Sequence, residues 1–220
     1  MTTSVPTILC FGDSNTWGFS DDGSHRYGLH ERWPGVLRDE LGPEFGVIEE
    51  GLCGRTTIHD DPFEDFRNGL EYLRPCLDSH VPDLILLMLG TNDLKHRFRL
   101  SAWDIAAGVG KLATYARTRP LQPGTPATQV LLVCPPPVLE TGPFVNMFAG
   151  AAAKSRELAP HYRAFATETG SAFFDTGTVI TSSPVDGIHW KKAEHRKLGQ
   201  ALAAEVRRLI PECAGRQSVE

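Results

Sequence analysis

Apolar residues in this chain follow two patterns: short continuous runs, and longer stretches with a helical period. The continuous runs cover residues 7–11, 45–49, 83–89, 129–134 and 172–174. The third, Asp-Leu-Ile-Leu-Leu-Met-Leu, is almost wholly apolar, as expected of a strand covered on both faces. The fourth is stopped by Pro135, Pro136 and Pro137. Helical segments fall between the runs. In residues 34–41 Pro34 stands near the start and Gly42 just past the end. Asn68 is a cap for a helix running towards His80, bent at Pro75. Ser101 and Asp104 form a Ser-x-x-Asp signature before a helix to about Arg117. Residues 151–169 are helical in composition, with a break or kink expected at Pro160. In 191–210 the apolar Leu198, Leu202, Val206 and Leu209 recur at helical spacing.

Strands and helices therefore alternate along the whole chain. That order predicts βαβ units with right-handed crossovers, and so a parallel sheet with helices on both faces. Five strands make a flavodoxin-like three-layer α/β/α sandwich, read here as one domain over residues 1–220. The Pro/Gly-rich stretch 120–126 is expected to be a surface loop, and the tail beyond about residue 210 to be frayed. In such a fold ligands bind outside the carboxyl ends of the strands.

Composition narrows the function. A chain of 220 residues suits one sizeable core. Its net charge of -5 argues against a nucleic-acid partner, which would call for a basic stripe. No basic residue precedes an apolar run at the N-terminus, and no stretch reaches the roughly 18 apolar residues of a membrane span. The expectation is a cytoplasmic protein with no membrane partner. Cys10, Cys53, Cys76, Cys134 and Cys213 are odd in number and include no Cys-x-x-Cys, a poor framework for disulfides or a zinc ribbon. Most are read as small buried hydrophobes.

Candidate chemistry lies at the strand ends. Gly12-Asp13-Ser14-Asn15-Thr16-Trp17-Gly18 follows the first run, Gly51-Leu52-Cys53-Gly54-Arg55-Thr56 the second and Gly90-Thr91-Asn92-Asp93 the third. Asp186-Gly187-Ile188-His189 lies before the last helix. A serine hydroxyl such as that of Ser14 needs a neighbouring base to become a nucleophile, and histidine, as at His189, is a side chain that can supply one. Asp186, three residues earlier, can accept from the imidazole and fix its tautomer. Asp175, after the last short strand, is a rival for the acid role; its other reading is a turn or cap residue. The remaining histidines are read as surface or structural.

These four segments, in order and over essentially the whole chain, resemble the signature blocks of the SGNH, or GDSL, hydrolase family. The wider wording (Ile8 to Ser14, Val47 to Leu52, Met88 to Asp93, Val185 to His189) is similar to the bacterial arylesterase/acyltransferase branch. The resemblance implies a triad of Ser14, His189 and Asp186. It also implies an oxyanion hole from the Ser14 N–H, the Gly54 N–H and the Asn92 side-chain amide. It implies a short-chain aryl or acetyl ester as substrate, with carbohydrate deacetylation, thioester cleavage and lysophospholipid hydrolysis as alternatives on the same triad, water or an alcohol as acceptor, no cofactor or metal, and a homo-oligomer. Trp17, Lys95, Phe144 and Ile188 correspond to lining positions of that family's substrate channel. Asn15, Cys53 and Gly54 depart from the branch, which has leucine, serine and alanine there. The departures put the acyl pocket and the balance of transfer against hydrolysis in doubt, with Asn15 and Cys53 as its bordering residues. The apolar stretch Phe144 to Phe148 is either a lid or a subunit contact. The run Lys95, His96, Arg97, Arg99 is either a solvated face or a collector of anionic substrates.

Two rivals come from other classes. A metal-dependent hydrolase would use the cluster His59, Asp60 and Asp61, which lacks a recognised ligand framework. A nucleotide-binding module would use the same sheet edge, but neither Gly-x-x-x-x-Gly-Lys-Ser/Thr nor Gly-x-Gly-x-x-Gly occurs.

Overall fold

The computed structural model describes residues 5–119 and 127–211. Five strands form one sheet: β1 (Thr7–Gly12), β2 (Gly46–Gly51), β3 (Leu84–Met88), β4 (Gln129–Cys134) and β5 (Ala172–Asp175). Their order is β2-β1-β3-β4-β5, and every pairing is parallel. Ile8 lies between Val47 and Leu84, which sets the register of the three central strands. The helices are α1 (Ser14–Trp17), α2 (Trp33–Leu41), α3 (Gly69–His80), α4 (Ala102–Thr118), α5 (Ala151–Arg156), α6 (Leu158–Thr169) and α7 (Lys192–Leu209). This is the expected flavodoxin-like α/β/α sandwich.

The near-continuous apolar strands are explained by two cores, one on each face of the sheet. Leu9, Phe11, Ile85, Leu87, Val130 and Leu132 pack with α3, α4 and α6. Their neighbours Ile8, Cys10, Leu84, Leu86, Leu131 and Val133 pack with α2 and α7. Successive side chains point to opposite faces, so both sets must be apolar. Burial raises the thiols of Cys10, Cys76 and Cys134, so each is protonated where it packs against the core. On the second face His195 is fully buried, and its Nδ1 accepts from the Trp33 N–H at 3.3 Å.

Several boundaries differ from the sequence reading. The break expected at Pro160 falls at Glu157, between α5 and α6. Pro160 stands in the first turn of α6, where its missing N–H leaves no hydrogen bond unmade. Pro75 lies inside α3, which continues through it. Ser101 caps α4 as expected, in a full capping box with Asp104. Helix α1 is a single turn directly after β1. The expected loop at 120–126, the frayed tail and Cys213 lie outside the described residues. Among the described residues no helix is long and apolar enough to cross a membrane.

The order β2-β1-β3 makes the gap between β1 and β3 the point where the chain's winding direction reverses. Crevices in doubly wound sheets form there, at the carboxyl ends of the strands. Gly12 ends β1, Gly51 ends β2 and Met88 ends β3, so the first three candidate loops leave from this edge.

Truncating a core side chain tests this packing. Leu202→Ala, in α7 against the sheet, should cost about 2–5 kcal/mol by urea denaturation with an unchanged slope.

Candidate active site

Ser14 is the first residue of α1, directly after β1. The Asp13 carboxylate caps that turn by accepting the Asn15 N–H at 2.9 Å. Gly18 closes it in the left-handed region, at φ 95°. The crossing is tight: a Cβ on Gly51 would sit 2.2 Å from the Trp17 nitrogen, so only glycine lets β2 end here.

The Ser14 hydroxyl donates to His189 Nε2 at 2.9 Å. On the other side of the ring, His189 Nδ1–H donates to Asp186 Oδ2 at 2.5 Å. An ionised carboxylate only accepts, which assigns the proton to Nδ1 and leaves Nε2 free to take one. The second oxygen, Asp186 Oδ1, accepts the Ile188 and His189 N–H groups at 2.9 Å each. One carboxylate thus shapes the loop and orients the imidazole. Burial would raise the Asp186 carboxyl, but the His189 hydrogen bond and charge and these two donors outweigh it and hold it below its ordinary value. Gly187 has φ 82°, and a Cβ there would meet the Leu139 carbonyl oxygen at 2.1 Å. Phe19 lies 4.6 Å from the imidazole, centroid to centroid, and Phe144 meets it edge-on at 5.9 Å.

The oxyanion candidates converge on the same edge. The Asn92 amide donates one hydrogen to the Arg55 carbonyl at 3.1 Å, which leaves its second hydrogen for a ligand. Gly54 has φ 81°. Neither the Ser14 nor the Gly54 N–H has a backbone acceptor among the described residues. Next to Asn92, the buried Asp93 accepts the Thr57 N–H at 3.0 Å and the Thr57 hydroxyl at 2.5 Å. Burial nevertheless keeps that carboxyl above its ordinary value. Gly90 has φ 116°, and the buried Tyr162 hydroxyl donates to the Leu89 carbonyl beside it at 2.7 Å.

Arg55 holds these loops together. Its guanidinium is buried between the Phe11 and Tyr72 rings, 4.2 and 4.6 Å from their centroids. Nη1 donates to the Gly12 carbonyl at 2.8 Å and to the Glu50 carbonyl. The ends of β1 and β2 are therefore clamped by the residue whose own carbonyl orients Asn92. Burial lowers the guanidinium to about 10, and it stays charged at neutral pH.

The softer candidates are distributed differently. Asn15 follows Ser14 in the single turn of α1. It is buried, and its amide donates to the Ile188 carbonyl at 3.3 Å, bracing the serine turn against the histidine loop. Lys95 is not a free cation on a solvated face. It is 3% exposed, and its ammonium donates to Asp61 and Glu64 at 3.2 Å each, because a buried charge must be paired. Arg97 shares Asp61 at 2.8 Å. Trp17 is half-buried under the Arg26 guanidinium. Ile188 packs in the core, in the cluster that Phe144 and Met147 border. Phe148, in the same apolar stretch, is buried. Cys53 is half-buried; burial and the Asp13 charge raise its thiol, which keeps it protonated. The rival acid Asp175 caps a turn by accepting the Gly177 N–H at 3.0 Å. His59, Asp60 and Asp61 do not converge as metal ligands among the described residues. Arg55 and Phe19 carried no sequence signal of their own, since neither periodicity nor a pairing motif marks them.

Residues 10–209 match the model of the GDSL-like lipase/acylhydrolase family. The chain belongs to that family. It is 47% identical to the structure of an aryl esterase from M. smegmatis, with 93% of this chain and all of that one covered and a TM-score of 0.88. A carbohydrate acetylesterase from Sinorhizobium meliloti is 42% identical over 93% of this chain and 99% of its own, also with a TM-score of 0.88. Among curated relatives, an arylesterase of Vibrio mimicus is 35% identical over 39% of this chain. An acetylxylan esterase of Xylanibacter ruminicola is 24% identical over 91% of it. The matches span only 37% and 43% of those two relatives.

Two outcomes check this site. Asn92→Ala should lower kcat by about 10²–10³ with little change in KM, because the amide meets charge that develops only in the transition state. The second concerns Asp13, whose carboxyl burial raises from 3.8 to about 6. A folded value above the unfolded one means that folding takes up a proton between the two, so the wild type loses stability as pH rises from about 4 to about 6. Asp13→Asn keeps the capping oxygen without the charge. Denaturation should find it level with wild type near pH 4 and more stable by up to about 3 kcal/mol at pH 7.

Proposed function

We propose that this protein is a serine esterase acting on short-chain aryl or acetyl esters. The observation that carries the proposal is the unbroken hydrogen-bonded chain from Ser14 Oγ through His189 to Asp186. In the cycle Ser14 Oγ attacks the ester carbonyl carbon while His189 Nε2 takes its proton. The carbonyl oxygen gains negative charge facing the Ser14 and Gly54 N–H groups and the Asn92 amide. Asp186 stabilises the imidazolium and stays ionised. Collapse breaks the bond to the leaving alcohol, which receives the proton from His189, and acyl-Ser14 remains. Water, deprotonated by the same imidazole, then releases the acid. An alcohol in place of water gives acyl transfer.

The names of the M. smegmatis and V. mimicus proteins support aryl esters, and those of the S. meliloti and X. ruminicola proteins support acetylated carbohydrate. Phe19 and Phe144 flank the imidazole and favour an apolar group beside it. We read the protein as a cytoplasmic homo-oligomer. The exposed Phe63 and Phe66, together with Val145 in the 144–148 stretch, support self-association.

The test is a panel of p-nitrophenyl esters of increasing acyl length, assayed with and without chelator. Acetate and propionate should turn over fastest, with rates unchanged by chelator, and Ser14→Ala should be inactive. Full activity in Ser14→Ala would overturn the proposal. Adding an alcohol acceptor and measuring the new ester against free acid reads the share of transfer.

A further inference from the structure

Tyr72, Cys76 and His80 stand four residues apart on α3, so they share one face of that helix. That face meets Glu50 near the end of β2. His80 Nε2 is 3.2 Å from Glu50 Oε1, and the Tyr72 hydroxyl donates to Glu50 Oε2 at 3.0 Å. The donor atoms of Glu50, Cys76 and His80 all lie within 4.8 Å of one another. Among the described residues this is the one group of three such side chains that converges. None of the three belongs to the proposed triad or oxyanion set.

A carboxylate, an imidazole and a thiolate are the donors that zinc accepts in tetrahedral sites. We propose that Glu50, Cys76 and His80 bind a divalent cation of the zinc class, with water as fourth ligand. Metal–ligand bonds of about 2.0 Å at tetrahedral angles hold a nitrogen and an oxygen about 3.3 Å apart, which the His80–Glu50 pair already satisfies. With a metal–sulfur bond of about 2.3 Å the sulfur must lie about 3.5 Å from each partner, so each of its two distances shortens by at most about 1.3 Å. The Tyr72 hydroxyl holds the carboxylate oxygen that faces away from His80, the outer-shell support such ligands need. Both Glu50 and His80 are partly exposed, so an ion can reach them from solvent.

On binding, the Cys76 S–H bond breaks, a metal–sulfur bond forms and that proton passes to buffer, while the His80 Nε2–H that faces Glu50 is given up as the neutral ring takes a proton on Nδ1, which frees the Nε2 lone pair for the ion. The ion adds two charges and the thiol gives up one proton, a net gain of one positive charge. The Glu50 carboxylate is the anion that receives it. The bound ion fastens β2 to α3 at the residue whose carbonyl accepts from Arg55. It is a structural brace beside the oxyanion loop, and no step of ester cleavage passes through it.

The test uses the full chain, with thiols reduced and metal removed by chelator, titrated with cobalt(II) chloride. One equivalent should bind and give a thiolate-to-cobalt charge-transfer band in the near ultraviolet with strong tetrahedral d–d bands. Zinc chloride should displace it and raise the thermal midpoint. Cys76→Ser should abolish the band, and His80→Ala, at a partly exposed position, should lose the stoichiometric site without unfolding. Tyr72→Phe keeps all three ligands and should weaken binding about 10-fold. Cys53→Ser and Cys213→Ser should leave the band intact. Absence of the band at stoichiometric cobalt, or its survival in both Cys76→Ser and His80→Ala, would overturn the proposal.

Discussion

One contact organises the molecule: a serine hydroxyl and an imidazole nitrogen, 175 residues apart in the chain, meet at 2.9 Å. No single element holds both, so each must be delivered by its own loop and the loops fixed to each other. Three features do this. The two oxygens of Asp186 shape the histidine loop and aim its ring. Gly187 lets that loop lie against the Leu139 carbonyl. The Asn15 amide, on the residue after Ser14, reaches across to the Ile188 carbonyl, on the residue before His189. Rings of Phe19 and Phe144 on the imidazole leave it little freedom to turn away.

The site concentrates buried polar groups. Asp13, Arg55, Asp93, Lys95 and Asp186 are all withdrawn from water within a few residues of the proposed chemistry. Each would be costly alone, and each is met by specific partners. Asp93 is met by Thr57, Lys95 by Asp61 and Glu64, and Asp13 by its own turn. Arg55 is enclosed by two aromatic faces and two strand-end carbonyls. The result is a rigid set of donors at the sheet edge, arranged before any substrate arrives. Rigidity of this kind is what electrostatic stabilisation of an oxyanion requires, because the donors then need not reorganise during the reaction.

Much of this was legible in the sequence. Alternating apolar runs and helical stretches carry the sandwich, since strands covered on both faces must be apolar throughout. The four short segments mark Ser14, Gly54, Asn92, Asp186 and His189 because their chemistry restricts which residue types serve. The errors have a common origin in burial, which one-dimensional patterns do not register. Lys95 stands in a basic run and looks solvated, yet its partners lie more than thirty residues earlier. The bracing contact of Asn15 is equally invisible along the chain, because its partner Ile188 is near the other end of it. Arg55 sits in a recognised segment with nothing to distinguish it from a surface arginine. The break assigned to Pro160 moved to Glu157 because proline starts a helix as readily as it ends one.

The central claim is that Ser14 is the nucleophile and that His189 makes it one. Its most direct test is to treat the protein with a p-nitrophenyl alkylphosphonate and locate the covalent adduct by intact-mass and peptide mass spectrometry. The account predicts one equivalent on Ser14 in the wild type, formed far more slowly in His189→Ala. An adduct on Cys53 or any other residue, or an undiminished rate in His189→Ala, would contradict it.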